Sequence, residues 1–215
     1  MANSLNALHR EGLPVQTHSI LRTMIAIFFL SFEPPLSTPA HAMGSNPVTD
    51  PDLPEFHEVV KDAIYRGGQP TDAGIVRLAG LKIKTVLNLR DEDPMRAHYE
   101  RRLVESLNIK MIETPISSIF GPSDETMTSA QAVLNDPSNY PIYIHCLHGQ
   151  DRTGLAIGLY RVFTQKMLPR EAYSEMVALG FRPYLIGLRY YFEEKTGYHP
   201  PEDLDTILPT PISIF

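Results

Sequence analysis

His145-Cys146-Leu147-His148-Gly149-Gln150-Asp151-Arg152-Thr153-Gly154 brings the only cysteine of the 215-residue chain together with an arginine, a threonine, two histidines and an aspartate. The cysteine ends an apolar run, Pro141 to Ile144, and a helical pattern opens near the arginine. Backbone N–H groups in so tight a turn point inward, and the helix start adds positive partial charge. Together these make an anion cradle from Leu147, His148, Gly149, Gln150, Asp151 and Arg152, with phosphate its natural guest. The same surroundings favour thiolate over thiol at Cys146. The planar fork of Arg152 suits bidentate recognition of phosphate better than an ammonium would. Gly149 lets the chain turn without a Cβ clash, and Thr153 offers a hydroxyl to the sulfur. His145 is expected to hold the loop through a backbone hydrogen bond. A metal site is a poor alternative, since His145, Cys146 and His148 crowd into four residues with no partner pair at ligand spacing.

The elements that must position this loop alternate. Val59–Tyr65 reads as a strand closed by Arg66-Gly67-Gly68-Gln69-Pro70, and Thr71 or Asp72 can cap the helix that follows. Thr85–Leu89 and Lys110–Ile116 read as strands, and Asp93-Pro94 opens a helix to about Leu107. After the loop Ser117–Ser123, Asp124 is a plausible N-cap for a helix to about Leu134. Pro141–His145 is a buried strand, and helices are expected over Thr153–Gln165, Pro169–Leu179 and Pro183–Lys195. Strands alternating with helices predict an α/β fold, a mostly parallel sheet of about four to five strands flanked by helices.

The ends differ from this middle. Arg22, the short apolar run Met24–Phe32 and Ala40-His41-Ala42 have the order of a secretory signal, so residues 1–42 are read as a signal peptide implying a periplasmic or extracellular location. The run is too short to span a membrane. Proline enrichment marks 43–57 as a linker and 197–215 as a tail, leaving 58–196 as the domain. A net charge of −6 argues against nucleic acid as a partner, and one cysteine excludes an intrachain disulfide.

His145 through Gly154 match H-C-x5-R-[ST]-G, the signature loop of cysteine-based phosphatases of the protein tyrosine phosphatase superfamily. Ile64-Tyr65-Arg66-Gly67-Gly68-Gln69-Pro70, Asn88-Leu89-Arg90 and the two trailing helices resemble its compact dual-specificity branch, especially atypical plant and fungal members and their bacterial relatives. The resemblance covers roughly Val59 to Lys195. It implies a cofactor-free and metal-free phosphomonoester hydrolase in which Cys146 attacks phosphorus and water then hydrolyses the phosphocysteine. It also implies that His148 and Gln150 face substrate or rim, and that the substrate is a phosphoprotein or a phosphorylated small molecule.

The chain departs from the family at the proton donor. Most relatives supply an aspartate about thirty residues before the cysteine, yet Glu113–Phe120 contains none. Asp151 is the first substitute, by similarity to myotubularin-type lipid phosphatases and to bacterial phosphatases with Asp-Arg-Thr, and Asp124 is the second. Arg90 and Arg182 are further cations for the pocket, although surface arginines are usually solvated. Three functions are therefore carried forward: a tyrosine/dual-specificity phosphatase, an inositol (poly)phosphate phosphatase with the same chemistry, and a non-catalytic phosphate-binding pseudophosphatase.

Overall fold

A computed structural model describes residues 50–201, so the signal-peptide reading of 1–42 and most of the proposed tail lie outside the described residues. In chain order the elements are β1 (His57–Val60), β2 (Ile64–Gly67), α1 (Asp72–Gly80), β3 (Thr85–Asn88), α2 (Pro94–Ser106), β4 (Lys110–Glu113) and α3 (Asp124–Asn135). A short 3-10 turn (Pro137–Asn139) leads to β5 (Ile142–His145), α4 (Asp151–Phe163), α5 (Pro169–Ala178) and α6 (Ile186–Thr196). The sheet order is β1-β2-β5-β3-β4, with β1 antiparallel to β2 and every other neighbouring pair parallel.

The expected strand Val59–Tyr65 is instead a hairpin. Asp62 takes a left-handed φ of 57° and the Ala63 N–H donates to the Val60 carbonyl, which folds β1 back onto β2. The linker reading also fails over its last residues: Leu53 is buried in the core, and the Pro54 carbonyl accepts from the Gly68 N–H at 2.7 Å. An apolar anchor and backbone pairing outweigh the proline content there. Thr71 rather than Asp72 caps α1, accepting from the Gly74 N–H, and Asp93 caps α2 ahead of Pro94. Ser123 caps α3, which makes Asp124 its first helical residue and not the N-cap.

Side chains alternate across the sheet. Val86 and Tyr143 pack with Ile75 and Leu78 of α1 and Val104 of α2. Leu87, Ile142 and Ile144 face the opposite layer, with Ala130 of α3, Leu155 and Leu159 of α4, Met176 of α5 and Phe192 of α6. Helix α4 is buried continuously from Asp151 to Tyr160, so its first turn cannot drift. The register sets Gly67, His145 and Asn88 side by side, with Glu113 beside Asn88. The segments leaving β2, β5, β3 and β4 therefore emerge along one edge, outside the carboxyl ends of the strands, where open α/β sheets bind ligands.

Candidate active site

Cys146 leaves β5 at the centre of that edge, only 2% exposed, at the floor of the loop that leads into α4. Among the described residues no acceptor takes the N–H groups of Leu147, His148, Gly149 or Gln150. Four adjacent donors without partners, beside a helix start, form a nest for an anion. The side chains of Leu147 and His148 are exposed at the mouth, that of Gln150 is half-buried, and the rest of the loop is enclosed.

The segment after β2 braces this loop. Arg66, buried in the sheet, donates through Nη2 to the Gly149 carbonyl at 2.7 Å, and the Gln69 N–H donates to the Leu147 carbonyl at 3.0 Å. Burial pulls the Arg66 guanidinium below its ordinary value, and the neighbouring Cys146 is the largest charge opposing that. Sequence reasoning noted Arg66 only as part of a motif. An arginine inside an apolar strand was the signal of a bracing role.

Gly149 has φ +76°, and a Cβ there would lie 2.4 Å from the Gly67 carbonyl carbon and 2.5 Å from the Gly68 nitrogen. Both contacts are to backbone, so no rotamer change relieves them. Gly149→Ala is expected to cost about 2–4 kcal/mol of stability and to remove phosphate binding. Thermal unfolding with and without vanadate checks both parts.

Arg152 is buried, and its guanidinium meets the exit of β3. Nη1 lies 2.6 Å from Glu92 Oε2, 3.1 Å from Asp91 Oδ1 and 3.4 Å from the Ile116 carbonyl, while Nη2 donates to Glu92 Oε1 at 3.1 Å. Glu92 thus grips the fork bidentately, which fixes its plane. Sequence reasoning missed Asp91 and Glu92. Burial raises Glu92, but Arg152 and then Arg90 outweigh it and hold the carboxyl well below its ordinary range. Asp91 moves the other way: loss of solvent and the adjacent Glu92 raise it against the pull of Arg152. Arg90 is not a solvated surface cation, since it donates to Gln69 Oε1 at 2.6 Å and Glu92 Oε1 at 3.0 Å.

His145 is wholly buried, stacks on Tyr143 and places Nδ1 3.3 Å from the Cys146 carbonyl. Its Nε2 is 3.0 Å from Glu100 Oε1 of α2, a close electrostatic contact off the line of a good hydrogen bond. Burial raises Glu100, yet His145 outweighs it and leaves the carboxyl below its usual value. Tyr143, its phenol raised by burial, donates to the Gly68 carbonyl at 2.7 Å and ties β5 to the bracing segment.

The acid candidates read from the sequence fare differently. Asp151 opens α4 beside Arg152, but both of its oxygens accept from Arg182 Nε at 3.1 Å, and Oδ1 also takes the Arg182 N–H. That aspartate anchors the α5–α6 loop. Asp124 is 71% exposed in its side chain and bound to Lys195 and Tyr191 across a groove between α3, α4 and α6, whose lining includes none of the loop residues. Hydrogen bonds from Lys195 and Tyr191 draw its carboxyl below the ordinary aspartate value. Thr153 Oγ1 is buried with no hydrogen-bond partner, so the expected bond to the sulfur is not formed. Among the described residues no cluster of His, Cys, Asp and Glu is arranged to hold a metal ion.

A family model described as "DSP-PTPase phosphatase fused to NAD+ Kinase" matches residues 47–183. A probable tyrosine-protein phosphatase of Dictyostelium discoideum, DG1060, is 32% identical over 107 residues, 48% of this chain and 63% of that protein. The inositol diphosphatase DSP3 of Arabidopsis thaliana is 31% identical over 112 residues, 50% of this chain and 54% of its own. The chain therefore spans less than two thirds of these relatives. The solved core catalytic domain of the PP-IP phosphatase SIW14 from S. cerevisiae, in complex with citrate, superposes with a TM-score of 0.55 at 26% identity, covering 72% of this chain and 91% of that one. The brace, the nest and the Cys146–Arg152 loop all lie within the matched region, and the chain belongs to the DSP-PTPase phosphatase family.

Proposed function

We propose that the protein is a metal-independent phosphomonoester hydrolase of the tyrosine/dual-specificity type, working through a phosphocysteine. The observation that carries this is the buried Cys146 beneath four unpartnered N–H groups and the clamped fork of Arg152. The nest and the fork hold the three phosphoryl oxygens. The Cys146 thiolate attacks phosphorus in line, so an S–P bond forms as the ester P–O bond breaks and the leaving oxygen takes a proton. Water then attacks phosphorus, the S–P bond breaks, and phosphate departs with the thiolate restored.

The rim supports an aromatic ester. The loop after Ile116, whose carbonyl touches Arg152, presents Ile119 and an 84%-exposed Phe120. Gly187 allows this loop to close on α6, since a Cβ there would lie 2.4 Å from the Ile119 carbonyl oxygen. Ile186, exposed just before Gly187, flanks the same contact. The cations nearby are engaged from within: Arg152 by the Glu92 carboxylate, Arg90 by Glu92, Arg182 by Asp151. A single phosphoryl group on an apolar body suits this better than a polyphosphate, which favours unpaired positive charge.

The second reading, an inositol phosphate phosphatase with the same chemistry, is supported by the relatives named as inositol diphosphatase and PP-IP phosphatase. Turnover of phosphotyrosine, phosphoserine and phosphothreonine peptides and of inositol phosphates, measured with chelator present, separates the two. Phosphotyrosine peptides are expected to show kcat/KM at least about tenfold above the others, a difference of about 1.4 kcal/mol. Inositol phosphates outpacing every peptide would establish the second reading instead. Phosphate binding without turnover of any of them would leave only the pseudophosphatase. The proposal includes export of the chain, supported by Arg22, the Met24–Phe32 run and Ala40-His41-Ala42.

A further inference from the structure

In-line attack from the floor of a pocket sends the leaving oxygen toward its mouth. Cys146 lies at the floor, so the proton donor must stand at the open side, within reach of a substrate held by Arg152. Asp151 fails this requirement, its side chain 5% exposed and bound by Arg182, and Asp124 lies on another groove. Two carboxyls remain on the guanidinium itself. Glu92 is committed to both terminal nitrogens of Arg152 and takes a further hydrogen bond from Arg90. Asp91 makes one contact to Arg152, at 3.1 Å, and its side chain is 37% exposed.

We propose that Asp91 is a catalytic residue, the general acid that protonates the leaving oxygen of the ester bound by Arg152. The assignment rests on the phosphatase reading above. Two carboxyls that share one cation need not be equal: Glu92, gripped twice, stays with the guanidinium, and Asp91, bound once and partly exposed, is the one free to exchange a proton. The groups facing Asp91 are Glu92 beside it and Arg152 from α4, and their combined effect with lost solvent is the upward displacement already described. The protons balance over the cycle. Asp91 in its carboxylic form gives its proton to the ester oxygen as the P–O bond breaks. The resulting carboxylate then takes a proton from the water that attacks the phosphocysteine, returning the site to its starting state. The exit of β3 thus supplies what the Glu113–Phe120 region lacks.

The test compares Asp91→Asn with wild type on 4-nitrophenyl phosphate, which has a good leaving group, and on phenyl phosphate, which has a poor one. The expected result is a loss in kcat of about 10²–10³-fold on phenyl phosphate and under about tenfold on 4-nitrophenyl phosphate. The alkaline limb of the kcat profile should disappear in Asp91→Asn and return in Asp91→Glu. Equal losses on the two esters, or an alkaline limb that survives in Asp91→Asn and vanishes in Asp151→Asn, would overturn the assignment while leaving the phosphatase reading intact. A wild type inactive on both esters overturns the phosphatase reading, and Asp91 with it. Vanadate binding by Asp91→Asn, expected to be retained, distinguishes loss of the acid from loss of the pocket.

Discussion

Cys146→Ser is expected to abolish turnover of every phosphate ester while leaving the phosphate pocket formed. Serine keeps the size of the side chain and the loop around it, but a hydroxyl oxygen is a far weaker nucleophile than sulfur at neutral pH. Among the described residues the adjacent His145 is turned to the Cys146 carbonyl and to Glu100, not to the side chain that a serine nucleophile would need a base to activate. Loss of a nucleophile that works with its neighbours as one unit should lower kcat by at least about 10⁴-fold. Vanadate or phosphate should still bind within a few-fold of wild type, because the four free N–H groups and Arg152 are untouched. Aryl phosphate turnover with chelator present, paired with calorimetric titration of vanadate, reads both quantities. Comparable turnover by Cys146→Ser would mean that another group carries the chemistry.

Arg152→Ala is expected to lower kcat/KM by about 10³-fold or more, since it removes the guanidinium that opens α4 beside the anion nest, where charge on a transferring phosphoryl group would be met. Arg152→Lys should recover little, because an ammonium cannot meet Glu92 and phosphate at once with a planar fork. The alanine variant also leaves Asp91 and Glu92 facing each other without a cation, so its stability should depend on pH in a defined direction. Glu92 is depressed in the folded protein, so its contribution is present above the ordinary glutamate value of 4.5 and fades as pH falls below it. Wild type should therefore exceed Arg152→Ala in melting temperature most at neutral pH, and the gap should narrow under acid. A gap that widens on acidification would contradict the ion-pair geometry.

Some parts of this protein can be read along the chain and others cannot. The anion-binding loop is a local object. A cysteine at a strand end, five residues and an arginine at a helix start lie within one turn, and their types state their chemistry without help from the rest of the fold. The alternation of apolar strands with capped helices is equally local, which is why Asp93-Pro94 marked the start of α2 correctly. Where two local signals competed, the prediction slipped. A continuous apolar reading ran across the tight turn at Asp62, and proline content hid the anchoring of Leu53.

Residue types and spacing alone thus determined the α/β architecture and which loop can cradle an anion. Only the tertiary structure decided which side chains serve that loop. Arg66 reaches Gly149 across 83 residues, and Asp91 and Glu92 reach Arg152 across 61 and 60. In a parallel sheet each return passes through a helix, so neighbours at the carboxyl edge are strangers in sequence, and no short pattern can announce them. Asp124 and Asp91 are both aspartates near the ends of elements; their difference is the cation each one meets, Lys195 on one face and Arg152 at the sheet edge. That choice belongs to strand order and register, which place β3 beside β5 and bring the exit of one over the cysteine of the other.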